Sequence, residues 1–379
     1  MSMRELFRRL RQERFHYTTL IRVLIHKNEI FHNLRVFQKQ FPKVKIAPVL
    51  KSNAYGHGLL QVARMLDAES LPFFCVDSFF EALILRNEGI QTPLLIIGYT
   101  SLENILASKL KNVAFAVISL EELKRLGASL HNRISIHLKL DTGMHRHGIL
   151  PEEIPEAIET LKHHPHIVLQ GIYSHLADAD KEGSKHAELQ IARWNEAVAR
   201  FKKEFPDIKY LHLGATAGSR YSSRVEANVL RIGIGLYGIS PRSGNLDLHP
   251  ALEMKTRVTS LRTLQAGESV GYSATFTTKT KMRIASIPAG YTEGIDRRLS
   301  NKGIVTIRGI GCPIVGRVSM NITSIDVSAA PVVRLDDEVT VISKEKSAPN
   351  SIERIAELCD TIPYDLLVHI PQYLRREVI

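Results

Sequence analysis

Cysteine is scarce and scattered in this chain. Cys75, Cys312 and Cys359 are the three among 379 residues, an odd number, far apart and outside any CxxC or Cys/His spacing. That excludes a disulfide framework and a cysteine-based zinc site. Each thiol sits in an apolar context, as in Phe73-Phe74-Cys75-Val76, and reads as a small buried side chain. Long apolar runs are missing too: Leu94–Ile97 stops far short of the roughly 18 residues that a membrane-spanning helix requires. Residues 1–15 carry five arginines and two glutamates without the apolar stretch of a secretory signal. Met3, Leu6, Phe7 and Leu10 recur there at helical spacing, so a short amphipathic helix with a basic face is expected. No internal repeat or low-complexity tract stands out. A reduced, cytoplasmic setting with no membrane partner is expected.

What is present is the balance of a globular protein, with 44% hydrophobic and 23% charged residues. The length fits a large barrel plus an appendage, or two to three ordinary domains. Fifty lysines and arginines against 39 acids leave a net charge of +11, which raises the question of a polyanionic partner. No nucleic-acid motif accompanies the charge, and no such partner is expected.

Short aliphatic and β-branched runs recur with helical patterns between them. Eight candidate strands follow in order: Ile46–Leu50, Phe73–Val76, Leu94–Ile97, Phe115–Ile118, Ile134–Leu140, Leu169–Ser174, Tyr210–Leu213 and Leu230–Ile234. The stretches between them include Leu59–Leu66 and Leu120–Leu130, the latter opened by the capping-box pattern Ser119-Leu120-Glu121-Glu122. Strand–helix alternation argues for parallel strands with right-handed crossovers, and eight such pairs over roughly 200 residues make a (β/α)8 barrel of the TIM type. After about residue 245 the pattern changes to strands joined by turns: Glu253–Leu264, Glu268–Thr277, Met282–Pro288, Gly303–Val327 and Glu338–Ser343. A helix over Asn350–Cys359 follows, with Asn350 as its N-cap. The expected division is therefore a barrel over 1–245 and a mainly β domain over 246–379.

Barrel chemistry sits at the C-terminal ends of the strands. There the first strand is followed by Lys51 and a glycine-containing turn, the fifth by Lys139, Asp141 and Arg146, and the sixth by His175. The seventh offers Gly214, Ala215 and Thr216, and the eighth Arg231, Gly233 and Ile234. Asp77, Gly98 and Ser119 close the others. A lysine leaving an apolar run is partly desolvated, which frees its amine as a nucleophile. With Thr216 and Gly233 after strands seven and eight, where barrels commonly bind phosphate, the combination points to a lysine-bound phosphorylated cofactor.

These residues also carry a family resemblance. Val49-Leu50-Lys51-Ser52-Asn53-Ala54-Tyr55-Gly56-His57-Gly58 resembles the pyridoxal-phosphate attachment motif of alanine racemases. Lys139-Leu140-Asp141-Thr142-Gly143-Met144-His145-Arg146, Tyr173-Ser174-His175, Arg231-Ile232-Gly233-Ile234-Gly235-Leu236-Tyr237-Gly238, Val270-Gly271-Tyr272-Ser273-Ala274-Thr275, Gly290-Tyr291, Gly316-Arg317-Val318-Ser319-Met320 and Pro363-Tyr364 resemble further segments in the family's order. The resemblance runs from about residue 20 to the C-terminus.

It implies a homodimer that interconverts L- and D-alanine on pyridoxal 5'-phosphate and supplies D-alanine for cell-wall peptidoglycan. Lys51 would hold the cofactor and act as one base; Tyr272 of the partner subunit would be the other, since racemisation needs a proton removed on one face and returned on the opposite one. Arg231 would face the pyridine nitrogen, where arginine can only donate, and His175 would bridge Arg231 and Tyr272. Tyr55, Thr216, Gly233, Ile234 and Tyr364 would hold the phosphate, and Arg146 with the Met320 backbone the substrate carboxylate. Lys139 matches a lysine often carbamylated in the family; Tyr291, Arg297 and Arg317 match its substrate entrance. No metal is implied.

Departures from the family pattern bear on specificity. Gly214-Ala215-Thr216 stands for Ala-Asn-Ser, Asn321 replaces an aspartate, Glu293 replaces another, and Phe276 replaces a tyrosine. His145 and His147 flank Arg146 where smaller or apolar residues are commoner. A racemase for serine, lysine or a broad range of amino acids is the alternative within the same fold. A non-catalytic pyridoxal-phosphate carrier is a further alternative, although such carriers lack the β domain and its tyrosine.

Overall fold

The computed structural model describes residues 18–240, 246–330 and 332–379. The basic helix expected around Leu6 and part of the junction near residue 245 lie outside the described residues. The chain divides into two compact units. One holds Ile25–Leu252, Pro363–His369 and Val378–Ile379; the other holds residues up to Leu24, Glu253–Ile362 and Ile370–Glu377.

The described chain opens with β1 (Arg22–Ile25), and the barrel strands follow as β2 (Lys45–Pro48), β3 (Phe74–Val76), β4 (Leu94–Ile96), β5 (Val113–Val117), β6 (Ile134–Lys139), β7 (Ile167–Tyr173), β8 (Tyr210–His212) and β9 (Val229–Ile232). β3 to β8 form one parallel sheet, and β2 pairs in parallel with β9. The ring closes at two seams. Leu50 N donates to Cys75 O at 2.8 Å beside β2 and β3, and Asn228 N donates to Leu211 O at 3.0 Å beside β9 and β8. All eight expected strands are present, and with their intervening helices they make the (β/α)8 barrel followed by a mainly β unit.

The alternation along each strand explains the layers. Ala47, Val49, Phe73, Cys75, Leu95, Ala114, Tyr210 and Val229 form one apolar cluster. Their neighbours Ile46, Phe74, Val76, Leu94, Ile96, Phe115 and Leu230 belong to a second cluster shared with the helices. Each fully buried aliphatic side chain there contributes about 1.5–3 kcal/mol. Helix Leu59–Leu66 has the expected bounds and buries Leu59, Val62, Ala63 and Leu66 on one face. Ser119 Oγ accepts from Glu122 N at 3.1 Å, but the Glu122 carboxylate accepts from Ile118 N at 2.7 Å, one residue before the position a capping box uses. All three cysteines are buried and free. Among the described residues, no helix is long and apolar enough to cross a membrane.

The second unit contains β10 (Leu252–Arg257), β11 (Ser260–Leu264), β12 (Ser269–Val270), β13 (Phe276–Thr277), β14 (Met282–Ile287), β15 (Ile304–Ile307), β16 (Ile310–Pro313), β17 (Thr323–Asp326), β18 (Glu338–Ile342) and β19 (Arg376–Val378). A six-stranded sheet runs in the order β16-β15-β18-β10-β1-β19, beside a three-stranded sheet β11-β14-β17 and the hairpin β12-β13. The run expected over Glu253–Leu264 is two strands in different sheets, because Val258 N pairs with Asp337 O while Thr259 N pairs with Ser286 O. The cap assigned to Asn350 belongs to Ser351, whose Oγ faces Arg354 N at 3.4 Å. Asn350 is buried and donates instead to Thr340 O at 2.8 Å, tying the helix entrance to the middle of β18.

Candidate active site

The turn behind β2 is the most strained backbone of the barrel unit. Ser52, Asn53, Ala54 and Tyr55 all take left-handed angles, with φ between 52° and 55°. Left-handed backbone costs an L-residue about 1–2 kcal/mol each, so the turn persists only because its surroundings hold it. Ala54 N donates to Leu50 O at 2.8 Å, and Asn53 accepts from Gly58 N through its carbonyl and from Leu59 N through its side chain, both at 2.9 Å. Glu81, on the helix Phe79–Asn87 that follows β3, accepts from Ser52 N with one carboxylate oxygen and from Asp77 N with the other, each at 2.7 Å. One carboxylate thus ties the ends of β2 and β3 together. Across the tie, Lys51 Nζ lies 3.5 Å from Asp77 Oδ1, and its side chain is 37% exposed, so the amine is partly desolvated and open to the barrel mouth.

The turn aims Tyr55 at the end of β9. A Cβ added at Gly233 would lie 2.6 Å from the Tyr55 hydroxyl, so glycine is required there. Burial pushes the Tyr55 pKa upward, and that of Tyr364 up to about 12, so both phenols stay protonated donors. Their ring centroids are 6.0 Å apart. Thr216 is buried, and its Oγ1 accepts from Gly235 N at 3.2 Å. The 3-10 turn Ile234–Tyr237 begins here, and the first N–H groups of a helical turn have no intrahelical partner. Hydroxyls and backbone N–H groups therefore converge in an anion cradle without a charged clamp.

Beside the cradle, Arg231 is buried and burial pulls its pKa down, yet a guanidinium keeps its proton. Nη1 donates to His212 Nδ1 at 2.6 Å and His212 O at 2.8 Å. Nη2 donates to Ser174 O at 2.7 Å and Leu213 O at 3.1 Å, and lies 3.3 Å from His175 Nδ1. The four Nη hydrogens are accounted for, and the Nε–H has no acceptor among the described residues. Because arginine only donates, His212 Nδ1 must accept. Neutral His212 then carries its proton on Nε2, which faces His137 Nδ1 at 2.7 Å. Desolvation, with Arg231 adding to it, lowers His137 and His175 to about 3 and His212 well below its usual value. All three imidazoles are neutral at pH 7. Lys139 is buried and drawn down to about 8, first by desolvation and then by Arg146 and Arg231.

Lys51, Tyr55, Thr216, Arg231, Gly233, Ile234 and Tyr364, with His175, thus belong to one unit and gather at the ends of its strands. Arg146 is exposed on the loop after β6. The other expected residues lie in the second unit. Tyr272 projects 69% exposed from the turn between β12 and β13, where Gly271, Ser273 and Ala274 have positive φ. Met320 O accepts from Thr292 N at 3.0 Å and its Oγ1 at 2.6 Å, packed where a Cβ at Gly290 would come within 2.5 Å. Asn321 Nδ2 donates to the buried Glu293 at 2.7 Å, so two departures from the family pattern form one contact. Sequence reasoning missed His137, His212 and Glu81. The first two were signalled by polar residues inside apolar strands, His137 sharing its face with Lys139 two residues on.

A (β/α)8 barrel with a lysine, a desolvated arginine and a group of hydroxyls and backbone N–H groups at the ends of its strands, followed by a mainly β unit, has the make-up of a barrel enzyme. Residues 25–241 match the family model "Alanine racemase, N-terminal domain", and residues 251–378 match "Alanine racemase, C-terminal domain". An alanine racemase of Syntrophobacter fumaroxidans is 36% identical over 347 residues, covering 89% of this chain and 92% of that one. Alanine racemase 2 of Bacillus subtilis is 31% identical over 365 residues, 93% of each chain. Among solved structures, alanine racemase of Clostridium difficile 630 superposes with a TM-score of 0.88 at 29% identity, covering 96% of both chains. The Bacillus anthracis enzyme with bound L-Ala-P gives the same score, identity and coverage. The chain belongs to the alanine racemase family, and it is an amino-acid racemase, an isomerase.

Proposed function

We propose that this enzyme interconverts L- and D-alanine on pyridoxal 5'-phosphate by a two-base mechanism, with Lys51 and the Tyr272 of a partner subunit on opposite faces of the substrate. The observation that carries this reading is Arg231: its Nη donors are spent on protein acceptors, leaving Nε–H as the one donor for a pyridine nitrogen. The residues fit the group. Tyr55, Tyr364 and Thr216 offer hydroxyls and Gly233 and Ile234 backbone N–H groups to the phosphate, while Lys51 offers an amine at the barrel mouth. When bound, the cofactor supplies the electron sink that acidifies the substrate's α-proton.

The chain's own groups do the rest. Lys51 Nζ takes or returns the proton on one face, and the Tyr272 hydroxyl does so on the other. Arg231, which cannot give up its proton, could only donate to a bound pyridine nitrogen, and would so temper the electron sink that the cofactor supplies. His175, whose Nδ1 lies 3.3 Å from Arg231 Nη2, would orient Tyr272. Arg146 and the Met320 backbone hold the substrate carboxylate, and Lys139, whose amine is half neutral near pH 8, is suited to carbamylation beside Arg146. The working division is a barrel over 1–245 and a β domain over 246–379, in a homodimer with shared sites. The exposure of Tyr272 supports that sharing. The reaction would belong to the cytoplasm, its D-alanine serving cell-wall peptidoglycan.

The test combines the visible absorbance of lysine-bound cofactor with D-product measured from single L-amino acids. Wild type should yield D-alanine fastest. Lys51→Ala should lose both signals, and retained covalent cofactor or retained racemisation overturns the assignment. Tyr272→Phe should strongly impair at least one direction; full rates both ways remove the two-base scheme. Activity in a monomer at high dilution removes the shared site.

A further inference from the structure

Lys51, Arg231 and the hydroxyls around them gather at the C-terminal ends of the barrel strands. At the opposite end a cavity of about 410 Å³ is lined by residues at or just before the starts of β3, β4, β5, β6 and β8. Small-molecule pockets fall between about 300 and 1,000 Å³. We propose that this end of the barrel is a second binding site, for a small carboxylate with an aromatic body.

The charge of the lining is of one sign. Arg133 and Lys209 line the cavity, and no aspartate or glutamate does. Among the described residues, neither the Arg133 guanidinium nor the Ser135 hydroxyl has a hydrogen-bond partner. Donors left unspent by the protein favour an acceptor-only group, and a guanidinium can take both oxygens of a carboxylate at once. Lys209 Nζ is held over the face of the Tyr210 ring, 5.1 Å from its centre, so the second charge stays beside an aromatic wall.

The floor is aromatic. Phe73, His137 and Tyr210 are buried and all line the cavity. The Phe73 centroid is 5.3 Å from that of His137 and 5.0 Å from that of Tyr210, both rings nearly edge-on to it. A flat ligand ring can join such a group, where edge-to-face and offset contacts are favourable. Arg133 and Lys209 are exposed. A ligand entering ring first therefore loses water from its apolar body while its carboxylate stays partly hydrated at the rim. An ammonium group would find no acid there to pair with.

The strand sets the depth. Arg133, Ser135 and His137 come at every second residue and line one cavity, because alternate residues share a face. At about 3.3 Å per residue, the Cα atoms of Arg133 and His137 stand about 13 Å apart along the chain entering β6. That spacing suits a ring carried on a short acid chain. His137 Nδ1 faces His212 Nε2 at 2.7 Å, and His137 Nε2 has no hydrogen-bond partner among the described residues. A hydroxyl on the far edge of the ring, donor and acceptor at once, suits that nitrogen.

The test is calorimetry on the full-length enzyme as purified, with para-hydroxyphenylpropionate as the probe. Wild type should bind one molecule per chain. The Arg133→Ala/Lys209→Ala double variant should bind at least tenfold more weakly at unchanged racemase activity. Ser135→Phe, which puts a ring into the cavity, should abolish binding. Tyramine, with an amine for the acid, and inorganic phosphate, with no apolar body, should each bind at least tenfold more weakly than the probe. Arg146→Ala, at the other end of the barrel, should leave the affinity unchanged. No binding to wild type, full affinity in the double variant, or a loss in Arg146→Ala overturns the site, as does tyramine or phosphate binding as tightly as the probe. Arg133 and Lys209 are surface groups, so the double variant decides the matter even where Ser135→Phe fails to fold.

Discussion

His212 Nε2 lies 2.7 Å from His137 Nδ1 inside the barrel, with Arg231 Nη1 2.6 Å away on the other side of the same imidazole. Arginine can only donate, so the proton of His212 is driven to Nε2 and His137 must accept it. The tautomer of one buried ring is thus set by a guanidinium and received by a second ring. Gly171 makes room for it, since a Cβ there would lie 2.8 Å from His137 Nδ1.

Replacing His137 tests this directly. His137→Phe keeps the ring volume but removes the acceptor, leaving the buried His212 N–H unpaired. Stability should fall by about 1–3 kcal/mol, read from urea unfolding. His137→Gln, whose carbonyl can accept, should lose less. Equal stability of the Phe variant and wild type would mean that His212 holds the other tautomer.

The buried imidazoles also set a pH dependence. Their folded-state values, about 3 for His137 and His175 and well below the usual value for His212, lie under the unfolded value of about 6.5. Between about pH 3 and 6.5 the unfolded chain binds more protons, so stability rises with pH there, by up to about 1.4 kcal/mol per pH unit for each ring. Lys139, at about 8 against 10.5, adds a second rise between those values. Unfolding free energies at pH 5 and pH 7 should differ by several kcal/mol, the gap shrinking in His137→Gln. A flat profile over that interval contradicts neutral, buried rings.

Most of the barrel was legible because its strands alternate faithfully: Phe73, Cys75 and Tyr210 share one face while Phe74 and Leu211 share the other. The site lysine, arginine and glycines stood at strand ends, where position alone marks them. β1 escaped notice, being four residues long and completed only by partners distant in sequence; Arg22 pairs with Glu377 at 2.8 Å across nearly the whole chain. Asn350 read as a cap because caps are local, whereas its true partner, Thr340 O, is tertiary. A role that depends on two chain segments meeting, such as that of Glu81, has no local signature.

Glu81 offers such a role for measurement. Its carboxylate receives Ser52 N and Asp77 N, holding the left-handed turn behind Lys51. Glu81→Ala releases these two N–H groups and that of Ser78, 3.3 Å from the same carboxylate, and should lower stability by about 1–3 kcal/mol, loosening cofactor affinity through the displaced Tyr55. Glu81→Gln keeps one carbonyl acceptor and should fall between. Cofactor titration by absorbance alongside urea unfolding checks both effects; unaltered affinity in the Ala variant would show that the turn holds itself.

The Asn321–Glu293 contact makes a prediction of opposite sign in pH. Asn321 Nδ2 donates to Glu293 Oε1 at 2.7 Å, while Glu293 Oε2 accepts from Gly290 N at 2.8 Å. Asn321→Asp would set a second carboxylate against a buried one, and two such groups cannot both ionise cheaply, so one pKa must rise. The folded state would then hold a proton that the unfolded chain releases, and the variant should lose about 1–3 kcal/mol at pH 7 but less at pH 5. Adding Glu293→Gln restores a donor facing the new acid, so the double variant should regain most of the loss, a coupling readable as a double-mutant cycle in urea. If the loss of Asn321→Asp relative to wild type is the same at both pH values, the amide is not what allows a longer acid at position 293.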